Sequence, residues 1–100
     1  MSNLPFIAGI EQRDKKFYDL VNGLEELCFA PSSLDQKTKL LIALAVDAAA
    51  GSAQGVKSIA GSLRRMGVTD EQIGEALRIT YFAKGNAVLG VSAEAFPANG

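Results

Sequence analysis

The chain has no histidine, no tryptophan and a single cysteine in 100 residues. Without histidine it lacks the commonest general base, the commonest metal ligand and the usual switch near neutral pH. One cysteine cannot close an internal disulfide, so nothing points to an oxidising compartment. Aromatic residues are scarce, at 7% against 48% apolar residues overall. The apolar share is mostly Ala, Leu, Ile and Val, which suits close helix–helix contact. A formal net charge of −1 gives no electrostatic reason to expect nucleic acid or an anionic membrane as partner. The longest nearly apolar run, Leu40 to Ala50, contains Asp47 and falls short of the roughly 20 residues that a membrane span needs. The opening MSNLPFIAGIEQRDKK has no basic region ahead of its short apolar stretch, so no secretory signal is expected. These absences together predict a cytoplasmic protein with no metal and no cofactor. Residues 1–100 match the commonest size of one domain.

Helical periodicity dominates what is present, and strand signals are absent. Phe17, Leu20, Val21, Leu24, Leu27 and Cys28 share one stripe, and Pro31 stops that helix. Ser33 with Gln36 has the spacing of a capping box for a second helix. That helix runs to about Ala50, and Gly51 supplies a left-handed exit. A third helix, starting near Ser52, carries Val56, Ile59, Ala60, Leu63 and Met66 on one face and ends at Gly67. Thr69 with Gln72 forms the next capping box, and Ile73, Ala76, Leu77, Thr80 and Tyr81 line the helix that follows. Gly85 and Gly90 bracket a last segment expected to turn helical again from Asn86 or Val91 to Phe96, ahead of a frayed tail at Pro97 to Gly100. The second helix differs from the rest because it is apolar nearly all round. Such a helix must be covered on every side. A chain this short has little material for that, so a homo-oligomer with this helix central, or at the subunit contact, is the simplest expectation.

The run from Leu34 to Gly67, followed by VTDEQIGEAL, resembles the carboxymuconolactone decarboxylase / alkyl hydroperoxidase D-like family. The likeness rests on the apolar helix around Leu41 to Val46, on Gly51 at the turn, on Gly67-Val-Thr-Asp-Glu-Gln-Ile and on the small-residue segment from Ala83. It implies an all-α, AhpD-like helical bundle of about five or six helices that assembles as a dimer to hexamer. In the family a Glu precedes a Cys-x-x-Cys-x-x-x-His pattern, and these groups carry thiol redox chemistry. The four matching positions here are Leu40, Ser52, Gly55 and Ile59. None can act as thiolate, base or proton relay, and the decarboxylase branch loses its His as well. The resemblance therefore implies a family member that lacks the redox motif: a binding or structural homo-oligomer, possible pseudoenzyme, holding at most a small apolar or carboxylated ligand.

Some residues still admit a chemical reading beside a structural one. Ser52 is a nucleophile candidate, but with no base in reach it reads better as the N-cap of the third helix. Asp47 lies two helical turns after Leu40 and faces nearly the same way. It is either a relocated acid–base group or, the favoured reading, a partly buried charge paired with a Lys or Arg. An enzyme of the decarboxylase or lactone-processing kind would use Asp47, with Lys57 or Arg64 holding a substrate carboxylate. The structural reading makes Lys57, Arg64 and Arg65 a solvated or paired face. Tyr81, a ligand-binding candidate, otherwise packs in a core or interface. Cys28 is a one-cysteine redox candidate, though its place on an apolar stripe favours a buried, protonated thiol. The helix–turn–helix look does not signal DNA binding, because the protein is not basic and its third helix has few base-reading side chains.

Overall fold

The computed structural model describes residues 5–97, with side chains from Ala8 onward. The expected tail lies, from residue 98, outside the described residues. Five α-helices follow one another: α1 (Pro5–Arg13), α2 (Lys15–Phe29), α3 (Gln36–Ala50), α4 (Ala53–Arg65) and α5 (Asp70–Ser92), closed by a 3-10 turn at Ala93–Ala95. The all-α expectation holds. Among the described residues no helix is long and apolar enough to cross a membrane.

Two glycines with left-handed backbone make the central hairpins. Gly51 (φ 78°) ends α3 and Gly67 (φ 88°) ends α4, a conformation in which a Cβ is strained. At each, the next two amides turn back on the helix they leave. Gly51 N–H donates to the Ala48 carbonyl (3.2 Å) and Ser52 N–H to that of Asp47 (2.9 Å); Gly67 and Val68 do the same to Arg64 and Leu63 (both 3.0 Å). This is the Schellman arrangement, and its apolar follower Val68 is buried against the core. Thr69 then opens α5 with the expected capping box, exchanging bonds of 3.1 and 3.0 Å with Gln72.

Two expectations need correction. Asp35, not Ser33, caps α3, accepting from the Thr38 amide at 2.7 Å. Asp35 directly precedes the first helical residue, and a carboxylate also suits the positive end of a helix. Thr38, through its backbone amide and then its hydroxyl, holds the Asp35 carboxyl below its usual 3.8. Second, α5 does not break at Gly85 or Gly90 but runs unbroken to Ser92. A helical glycine costs only about 1 kcal/mol and stops a helix when it takes a left-handed backbone, which these two do not. The chain is also helical from Pro5, in α1, an element the sequence reading did not address, where Pro occupies the favoured first position. Asp14 separates α1 from α2 and caps the latter through the Phe17 amide (3.1 Å).

The core is small and lies between α3, α4 and the start of α5. Leu44 and Leu63 are 0% exposed, surrounded by Leu40, Ile59, Ala60, Val68 and Ile73. Lys39 ties α2 to this unit, its ammonium donating to the Ala30 carbonyl (2.6 Å) and the Ser32 hydroxyl (3.0 Å). No residue of α2 is buried. The radius of gyration is 17.5 Å, whereas a compact chain of this length has about 13 Å.

Candidate functional site

The segment where the redox motif would lie is the α3–α4 turn, and each of its four positions has a structural role. Leu40 and Ile59 are 3% exposed members of the core. Ser52 is the N-cap of α4, its hydroxyl accepting from the Gly55 amide at 3.3 Å. Gly55 is buried because the Asp47 carboxylate folds over it. A Cβ built on Gly55 would lie 2.8 Å from the Ser52 hydroxyl and 2.8 Å from the Asp47 carboxyl carbon, with one Asp47 oxygen nearer still. Those separations are below any real Cβ contact, so a side chain at this position displaces Asp47.

Asp47, Ser52 and Gly55 therefore form one small cluster, joined also by the Ser52 amide bond to the Asp47 carbonyl (2.9 Å). Asp47 is half-buried. Its carboxylate has no ion pair and no hydrogen bond among the described residues, so the basic partner expected for it is not supplied by this protomer. Its oxygens still reach solvent, since no buried polar side-chain atom is left without a partner.

The other candidates lie apart from that cluster. Lys57 is exposed on α4. Arg64 closes a 2.7 Å ion pair with Asp70 across the α4–α5 turn, and Arg65 bonds the Ser62 hydroxyl at 3.1 Å. Arg64 thus sits near the far end of α4 from Ser52, about 18 Å along the axis at 1.5 Å per residue. Tyr81 is 82% exposed on α5 and lines shallow grooves with Lys84, one of them shared with Ala48 and Ala49 but not with Asp47. It is not a core residue. Cys28, expected to be buried, is exposed, as are Leu24 and Leu27 on the same stripe. Among the described residues no group of three or more Cys, Asp or Glu is placed to hold a metal ion.

An apolar concavity lies elsewhere, and sequence reasoning did not find it. A groove of about 440 Å³ runs between α3 and α5, lined by Leu41, Ile42, Val46, Ala76, Ile79 and Ala83 among others, with Lys84 at its side. Neither Asp47 nor Ser52 lines it. Its one sequence signal is the outward apolar face of α3, which made that helix apolar all round.

Comparison with known proteins adds the ancestry of this frame. A model of the carboxymuconolactone decarboxylase family matches residues 15–96. The uncharacterized protein MJ1511 of Methanocaldococcus jannaschii is 32% identical over 79 residues, covering 79% of this chain and 74% of its own length. The uncharacterized protein MJ0742 of the same organism is 26% identical over 77 residues, covering 76% and 74%. No solved structure matches the chain.

Proposed function

The chain belongs to the carboxymuconolactone decarboxylase family, and from that premise we propose that it is a member without the family's redox chemistry, a binding or structural homo-oligomer of the cytoplasm. The observation that carries this reading is Gly55. At the place of the second thiol there is no side chain, and the room for one is filled by Asp47. The first thiol is replaced by a hydroxyl engaged in capping, and the Glu and His positions by core Leu40 and Ile59. Thiol–disulfide chemistry needs an attacking thiolate and a resolving partner close by. Neither stands at this turn. A single cysteine, which can close no internal disulfide, supports that location.

Oligomerisation is supported by surface area. The chain exposes 7429 Å², roughly 2,000 Å² more than a compact monomer of its mass would. Much of that surface is apolar, with Leu20, Leu27, Ile79, Phe82 and Leu89 all largely exposed.

A second reading keeps catalysis. The Asp47 carboxylate, half-buried, without a basic partner among the described residues and beside Ser52, is the group that an acid–base enzyme acting on a small carboxylated substrate would use. Peroxide and disulfide turnover assays on the wild type, Cys28→Ser and Ser52→Ala chains separate these ideas. The proposal expects no thiol-dependent turnover in any of them. Turnover that survives Cys28→Ser, or that depends on Ser52, overturns it, and decarboxylation lost on Asp47→Asn with assembly intact would favour the second reading.

A further inference from the structure

Two apolar features of this chain are left uncovered by the protomer, and they are complementary in form. One is convex: the α2 stripe of Phe17, Leu20, Leu24 and Leu27, which is 51–76% exposed. The other is concave: the α3–α5 groove. Deepening the homo-oligomer reading, on which it rests, we propose that the α2 stripe of one copy docks into the α3–α5 groove of a second copy, and that the exchange is reciprocal about a twofold axis.

Lengths agree. From Phe17 to Leu27 the stripe extends about 15 Å, and the α3 wall of the groove from Thr38 to Ala49 about 16 Å, at 1.5 Å per helical residue. Spacing agrees too, since residues at i, i+3, i+7 and i+10 make the single row of knobs by which an amphipathic helix enters a groove. The alanines of the groove wall (Ala45, Ala49, Ala76, Ala83) leave room for those Leu and Phe side chains. Area points the same way. About 2,000 Å² of surplus surface on each protomer exceeds the roughly 800 Å² per partner that a standard stable interface buries. A reciprocal contact also closes: each copy offers one stripe and one groove, so a twofold pair uses both and leaves no open end.

The lone Cys28, exposed beside Leu24 and Leu27, serves as a built-in probe. Ala45→Cys and Ala83→Cys would place a thiol in the groove, and Lys57→Cys one on the exposed side of α4. Mild oxidation of the full-length chain, a non-reducing gel and peptide mapping then show which thiols meet, because a disulfide forms only where Cα atoms approach within about 7 Å. The expected result is a covalent dimer joining Cys28 to the introduced thiol in both groove variants, several-fold above Lys57→Cys, and reduced by adding Leu24→Glu. An oligomer in sedimentation without the groove cross-link overturns the docking but not the homo-oligomer. A monomer at every concentration overturns both. A monomer that takes up dodecanoate in the groove overturns both in favour of a small-molecule site.

Discussion

The α3–α4 hairpin and the α2 helix are both amphipathic, yet they meet different fates within the protomer. Leu44 on α3 and Leu63 on α4 are entirely buried, each covered by the other helix and by the start of α5. Leu27 on α2 is 76% exposed, and α2 buries no residue at all. α5 shows the same division along its own length, with Ile73 buried near its start and Leu89 exposed near its end. An apolar stripe therefore specifies that a helix needs a partner, not that the partner lies in the same chain. One set of stripes closes a protomer, and the other is left exposed by it.

Breaking the covered side has the largest expected effect. Leu63→Ala removes a side chain with no exposure and should cost about 3 kcal/mol by urea unfolding, whatever the protein concentration. Leu24→Glu acts on the uncovered side. It should leave helicity by circular dichroism unchanged and abolish the rise of Tm with concentration that an oligomer shows. If instead Leu24→Glu unfolds the chain in the way Leu63→Ala does, the two regions are not different in kind.

A finer test concerns the emptied motif. Gly55→Ala should be less favourable with Asp47 present than in an Asp47→Ala background, with a coupling of about 1–2 kcal/mol in a double-mutant cycle. Additive effects would mean that the carboxylate swings aside freely and does not fill the place of the lost thiol. The smallest effect concerns Asp35. Its carboxyl is held below 3.8 by the Thr38 amide, so its contribution is full above that value and is lost as pH falls through the lower, folded value. Asp35→Asn should flatten the acid limb of Tm against pH slightly and leave Tm near neutrality almost unchanged.

Local chemistry was the most legible part of the sequence. Gly51, Gly67, Ser52 and the Thr69–Gln72 pair work through groups within a few residues of one another, and each performs the expected role. The cap of α3 was misplaced because Ser33 and Asp35 are both good caps and only the start of the helix decides between them. Gly85 and Gly90 misled because glycine composition does not reveal φ. The contact of Asp47 with Gly55 was illegible for a different reason. It depends on the angle at which α4 leaves the Gly51 turn, and no residue pattern encodes that. Tyr81 and Cys28 sit on apolar stripes as read. Their exposure follows from which stripes the protomer covers, a property of the assembled helices and not of either helix alone.

Sedimentation velocity of the full-length chain, over a range of micromolar concentrations, tests the central claim most directly. An oligomer covering the uncovered stripes predicts a species of at least twice the 10.5 kDa chain mass, reduced to the single chain by Leu24→Glu. A wild-type chain that sediments at 10.5 kDa throughout would contradict it.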